Sequence, residues 1–132
     1  MRSARRLLLA LALVAACAAP EPARVATLDA TTAEQLSGTT VEVRGIVTKT
    51  LRDDDQGSRH QRFLVRLDGG LTVLVAHNLD IAERAPVSTG DRVTLHGEYR
   101  WNDKGGVLHW THRDPRGRHE AGWIRVGDRL YR

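Results

Sequence analysis

Three of the chain's six histidines, one of its three tryptophans and a Gly-Gly pair fall within residues 105–119, Gly105-Gly106-Val107-Leu108-His109-Trp110-Thr111-His112-Arg113-Asp114-Pro115-Arg116-Gly117-Arg118-His119. Imidazole changes charge near neutral pH, moves protons and ligates metals. A hydrophobic core has no use for so many polar rings in one place, so this stretch marks the expected working surface.

The first chemistry to weigh is a metal centre. A zinc-type site needs three or four nitrogen, sulfur or carboxylate donors converging at roughly 2.0–2.3 Å. His109 and His112 are three apart, which puts them on opposite faces of a regular strand. His112 joins His109 only if the strand ends or bulges near Thr111, before Arg113-Asp114-Pro115. His60 and His77 flank a hairpin signal, Asp68-Gly69-Gly70. A two-residue loop there sets them on one face, and a three-residue loop sets them on opposite faces. In the first case His60, His77 and His109 gather on one side, with His112, Asp114 and His119 arriving from the following turn. His60, His77 and His109 are then the candidate ligands for a divalent transition metal. His60, His77, His109 and His112 are the candidate catalytic acids and bases. His96, between Thr94 and Glu98, is expected on an outward surface. Asp53-Asp54-Asp55 can approach a cation but reads as a solvated loop tip, because no further carboxylates follow at calcium-loop spacing.

The second chemistry is stacking. Trp101 and Trp110 lie on what reads as one hairpin, with Tyr99 beside them, and paired across it they make a platform for bases or sugar rings. The competing reading puts Trp110 inward with Leu108, as core. Trp123 is expected as a lid on an open end. Arginine forks at Arg62, Arg100, Arg113, Arg116 and Arg118 suit a phosphate or carboxylate. The candidate ligand-binding set is Arg62, Asn78, Trp101, Asn102, Trp110, Asp114 and His119. No glycine-rich phosphate loop, Gly-x-Ser-x-Gly elbow or dinucleotide fingerprint is present.

These side chains need strands to hold them. Val41, Val43, Gly45 and Val47 alternate with Glu42, Arg44, Ile46 and Thr48, a period of two over about ten residues. His60–Leu67 is a second strand with Phe63, Val65 and Leu67 on one face, and Leu71–His77 is a third. Asn78–Ala85 breaks the pattern and reads as a short helical turn capped by Asn78 or Asp80 and ended by Pro86. Val93, Leu95, Gly97, Tyr99 and Trp101 share a face of strand four, Val107–Thr111 is strand five, and Gly122–Tyr131 adds a sixth. Three strands, a short helix and two strands give an all-β fold, a small OB-like Greek-key barrel of five to six strands. A small sandwich or open roll is the rival.

The N-terminus is a separate matter. Arg2, Arg5 and Arg6 precede the apolar run Leu7–Ala16, which is too short for a membrane span and reads as a secretion signal. Val14-Ala15-Ala16-Cys17 resembles a bacterial lipobox, in which the cysteine carries lipid. Cys17 is the one cysteine, so no internal disulfide forms. Residues 1–16 are expected as a lipoprotein signal peptide, 17–38 as a lipid-attached tether with a short helix, and 39–132 as a single OB-like domain. Ala18 after Cys17, by resemblance to sorted lipoproteins, implies the periplasmic face of the outer membrane. Without Arg2, Arg5 and Arg6 the chain has 17 basic and 16 acidic side chains, too even a balance to hold nucleic acid by charge alone.

His60-Gln61-Arg62-Phe63, Ala76-His77-Asn78, Gly97-Glu98-Tyr99-Arg100-Trp101-Asn102, Gly105 to His112 and Gly122-Trp123-Ile124 together resemble the motif set of an uncharacterised bacterial family of short exported proteins, defined by a domain of unknown function. The resemblance runs from about Val41 to Tyr131 and implies no activity. On its own chemistry the chain is expected to be a lipid-anchored, monomeric binding module whose histidine- and tryptophan-bearing face takes an oligonucleotide, a glycan or a protein. The alternative is a histidine-dependent, metal-assisted hydrolase of phosphodiesters, so whether the chain is an enzyme stays open here. A haem or metal carrier is a third option.

Overall fold

A computed structural model describes residues 27–132. The expected signal peptide and the lipid site at Cys17 lie outside the described residues. A four-residue helix, α1 (Ala33–Leu36), precedes seven strands: β1 (Thr39–Thr50), β2 (His60–Leu67), β3 (Thr72–Asn78), β4 (Arg92–Arg100), β5 (Val107–His109), β6 (Trp123–Val126) and β7 (Arg129–Tyr131). The strand order is β1-β2-β3-β5-β4-β6-β7, and β1 also pairs with β4. That last pairing closes β1 to β5 into a barrel, with β3 and β5 parallel and the other pairs antiparallel. This is the OB-like Greek-key topology expected from the sequence. Closure leaves the first five strands no free edge inside the barrel.

The period-two pattern explains the core. Val41, Val43 and Val47 of β1, Phe63 and Val65 of β2, Val73 and Val75 of β3, Leu95 and Tyr99 of β4 and Leu108 of β5 all point inward and are buried. Each such side chain taken from water contributes roughly 1.5–3 kcal/mol. Gly97 sits where a Cβ would collide with the carbonyl oxygen of His109, so only glycine lets β5 lie this close to β4. The core also reaches back before β1, because Leu28 and Ala33 are each 2% exposed.

Three local expectations change. The helical turn between strands three and four is absent, and among the described residues the one helix is α1, ahead of β1. Asn78 Oδ1 accepts the Asp80 backbone N–H at 2.9 Å, closing a tight turn instead of capping a helix. The chain beyond is then held straight by side chains: Gln61 Nε2 donates to the Ala85 carbonyl at 2.7 Å, and Gln61 Oε1 accepts the Ala85 N–H at 2.9 Å. The expected sixth strand is a hairpin, β6 and β7, turned at Gly127 with φ +59°. Finally, Trp101 does not share the inward face of β4. The strand ends at Arg100 and Trp101 is 46% exposed.

Candidate functional site

The β2–β3 register decides which histidines can meet. Leu67 N–H donates to the Leu71 carbonyl at 2.8 Å across residues 68–70, so the hairpin loop has three residues. Gln61 therefore stands opposite His77, and His60 stands opposite Asn78. His60 and His77 point to opposite faces.

His77 is inside the barrel, fully buried. Its Nε2–H donates to the Glu83 carbonyl at 2.9 Å, which leaves Nδ1 to accept the Thr111 hydroxyl at 2.8 Å. Burial pushes its pKa down to about 4, so the ring is neutral at pH 7. With both nitrogens occupied, His77 serves neither as a metal ligand nor as a proton carrier. The expected grouping of His60, His77 and His109 is corrected on that ground. Among the described residues no three His, Cys, Asp or Glu side chains are grouped to hold a metal ion.

The remaining histidines of the expected set do come together. A polar cavity of about 220 Å³ opens at the end of the barrel where β2 begins and β3 and β5 finish. His60, Asn78, His109, Trp110, His112, Asp114 and His119 all line it. Three of these imidazoles share one arrangement. His60 Nδ1–H donates to the Ser58 carbonyl at 2.8 Å, His112 Nδ1–H to the Arg113 carbonyl at 2.8 Å, and His119 Nδ1–H to the Glu120 carbonyl at 2.7 Å. A carbonyl only accepts, so each Nδ1 carries the proton and, in the neutral ring, each Nε2 keeps its lone pair. His112 is 4% exposed, and desolvation lowers its pKa even though the Arg113 carbonyl opposes the shift. The rings of His112 and His119 meet edge to face at 5.2 Å between centroids.

Trp110 is why these rings converge. Strand β5 stops at His109, and Trp110 has φ +53°, a left-handed conformation rare for any residue but glycine. That single twist takes Trp110 off the inward face of Leu108, so the core reading of Trp110 is corrected. The indole stacks instead with His109 at 4.8 Å and with His119 at 4.5 Å between centroids. It also lets Thr111 and His112 both turn inward and become buried.

Asp114 anchors the loop beneath. Its carboxylate accepts the backbone N–H groups of Arg116 at 2.9 Å and of Arg118, and its Oδ2 lies 3.4 Å from Arg118 Nε and 3.9 Å from His119 Nε2. Burial pushes its pKa up, but these N–H groups and the Arg118 guanidinium outweigh that and hold it below the usual carboxylate range. His109 Nε2–H donates to Glu98 Oε1 at 3.1 Å, and Arg100 Nε donates to the same oxygen. Burial raises the Glu98 pKa, and the bonds from His109 and Arg100 reverse this to a net lowering.

The other ligand candidates are elsewhere. Arg62 is outward on β2, with Nε donating to the Arg52 carbonyl at 3.0 Å. Trp101 N–H donates to Ser37 Oγ at 3.0 Å, and Asn102 Oδ1 accepts the N–H groups of Lys104 and Gly106, each at 2.9 Å. Trp101 and Trp110 thus form no platform, and the single face expected from sequence is two separate places. Trp123 lies on β6 opposite His96 and stacks on it at 5.4 Å, rather than covering a barrel end. His96 is accordingly half-buried, with Nε2 3.0 Å from Glu120 Oε1. Asp53 pairs with Arg59 and Arg84, so that loop tip is bound by cations of the chain itself.

Of the arginines expected beside the histidines, Arg118 lines the cavity; sequence reasoning missed Ser58 and Ile81 there, and Thr111 and Glu98 as histidine partners. Glu98 had a signal: it is the one carboxylate of β4, and it lies between Gly97 and Tyr99. Ser58 had none, because loops carry no period.

No curated protein matches the chain. A family model described as "Protein of unknown function (DUF3465)" matches residues 9–132, nearly the whole chain, and the protein belongs to that family.

Proposed function

We propose that the protein is an exported, lipid-anchored binding module whose ligand enters the cavity between His60, Asn78, His112 and His119. One observation carries the reading: three imidazoles have their Nδ1–H fixed to main-chain carbonyls and leave Nε2 unbonded at one polar cavity. Such lone pairs accept hydrogen bonds. Arg118 at the rim supplies donors. The matching ligand is small and rich in hydroxyl groups, which both donate and accept, and a glycan end is the best fit among the expected partners. Export rests on the Arg2–Ala16 signal pattern, and the anchor rests on Cys17 behind Val14-Ala15-Ala16.

The test is saturation-transfer NMR of the mature chain against a panel of mono- and disaccharides. Binding should be lost in His112→Ala while the thermal midpoint stays within a few degrees. A panel with no binder, or binding that survives in His112→Ala, sinks the reading. The hydrolase reading has one observation of its own, since a buried neutral His112 with a free Nε2 has the form of a general base. Turnover of bis(p-nitrophenyl) phosphate, abolished in His112→Ala, would favour it.

A further inference from the structure

On the outer wall of the barrel, remote in composition from the histidine cavity, β1, β2, β3 and β5 align one transverse row. Lys49 stands opposite Leu64, Leu64 opposite Leu74, and Leu74 opposite Val107. Lys49 joins this row because β1 shifts register between Val47 and Lys49, which turns the lysine to the same side as Leu64. The three aliphatic side chains are half-buried and, with Leu51, line a groove of about 300 Å³. Lys104 and Asn102 of the β4–β5 loop close one end. The lining has no aromatic ring and no carboxylate.

The charged side chains that line the groove or stand opposite its lining residues are cations. The chain has two lysines: Lys104 lines this groove, and Lys49 stands opposite Leu64 on the neighbouring strand. Arg66, two residues from Leu64 on the same face of β2, stands opposite Thr72 of the lining. Among the described residues none of these three cations takes part in an ion pair. The one acid of the β4–β5 loop, Asp103, is exposed and pairs with none of them. Elsewhere Arg59 and Arg84 pair with Asp53, Arg92 with Asp68, and Arg129 with Glu83.

We infer that this groove is a second binding site, for a single alkyl chain bearing an anionic head group. The row of Leu64, Leu74 and Val107 takes the alkyl chain, and Lys49, Arg66 and Lys104 face the head group. The chemistry selects this occupant. Nucleobases are held on single-strand sites by stacking on aromatic faces, and this lining has none. Sugars likewise pair polar contacts with aromatic rings, whereas aliphatic walls favour saturated hydrocarbon. A neutral or cationic amphiphile would leave the three cations without a partner or repel them. The site is independent of the histidine cavity and stands whether or not that cavity binds a sugar.

The experiment titrates the mature chain, labelled at leucine and valine methyl groups, with dodecanoate below its micelle concentration. Dodecyl maltoside and dodecyltrimethylammonium serve as neutral and cationic controls. Dodecanoate should bind saturably with one site, shift the methyl signals of Leu64, Leu74 and Val107, and bind roughly tenfold more tightly than either control. Leu74→Gln should weaken dodecanoate about tenfold. Lys104→Glu, an exposed change that keeps the fold, should remove most of the preference over the neutral control. Equal binding of all three amphiphiles, binding that begins only with micelles, or no methyl shift in the folded protein overturns the proposal. So does displacement of dodecanoate by a twelve-residue oligothymidylate, which would make the groove a nucleic-acid face.

Discussion

Thr111 Oγ1 lies 2.8 Å from His77 Nδ1, and this bond ties the end of β3 to the residue that follows the left-handed turn at Trp110. Together with the Nε2–H bond to the Glu83 carbonyl it makes His77 a cross-brace of the barrel, where the sequence suggested a ligand. The brace sets the floor on which the cavity histidines stand, and its energetics can be measured directly.

Acid should release that brace. The folded protein holds the His77 pKa down at about 4, against an ordinary value near 6.5, because burial disfavours the imidazolium. The unfolded chain then takes up a proton at a higher pH than the folded one, so stability is full above about pH 6.5 and falls as pH drops toward 4. The loss is on the order of 3 kcal/mol, from about 1.4 kcal/mol per pH unit of separation. Desolvation lowers the His112 pKa in the same direction, so it adds to the loss. Urea unfolding at a series of pH values should show this slope. His77→Gln should be less stable at pH 7 but visibly flatter between pH 6.5 and 4.5. An unchanged slope would assign the acid sensitivity to other groups.

Removing the hydroxyl alone should also be costly. Thr111→Val keeps the shape of a fully buried side chain but leaves His77 Nδ1 without a donor in the interior. An unpaired buried acceptor costs about 1–3 kcal/mol. Chemical denaturation should show that loss in midpoint with an unchanged dependence on denaturant. A loss below about 0.5 kcal/mol would mean that water reaches the ring.

Some of this architecture was open to sequence reasoning because it follows from a period. Phe63, Val65 and Leu67, or Val93, Leu95 and Tyr99, can be assigned inward because alternate residues of a strand share a face. Single-residue events have no period. Asp68-Gly69-Gly70 fits both a two- and a three-residue loop, and the choice inverts His77 relative to His60. The left-handed Trp110 is likewise invisible, since nothing in an indole favours φ +53°. It is tertiary packing, here the stacks with His109 and His119, that holds it there. The convergence of His60, His109, His112 and His119 was therefore legible, while the separation of His77 from them was not.

The proposed anchor makes a prediction at the other end of the chain. If lipid is attached at Cys17, Cys17→Ser should move the protein from the membrane pellet to the soluble periplasmic fraction, with the barrel still folded by circular dichroism. Single-chain or diacyl anchoring adds roughly 0.8 kcal/mol of membrane affinity per buried methylene, so the shift should be nearly complete. Continued membrane association of the serine variant, at full extracted yield, would locate the attachment elsewhere.

The turn into β5 offers the sharpest test of how the barrel closes. Gly106 has φ +96°, and a Cβ there would strike the ring of Tyr99, whose hydroxyl donates to the Gly105 carbonyl at 2.9 Å. Tyr99 is fully buried and cannot swing away without opening the core. Gly106→Ala therefore meets two penalties, a left-handed backbone and an overlap with a fixed ring. The backbone alone costs about 1–3 kcal/mol, and overpacking adds a comparable amount. Gly117 has φ +64° but its Cβ direction is open, so Gly117→Ala meets only the first. Thermal unfolding of the pair should separate the two terms, with Gly106→Ala lower by at least several degrees. Equal midpoints would mean that β5 and the Tyr99 ring yield together, and that the β4–β5 loop is not fixed by this contact.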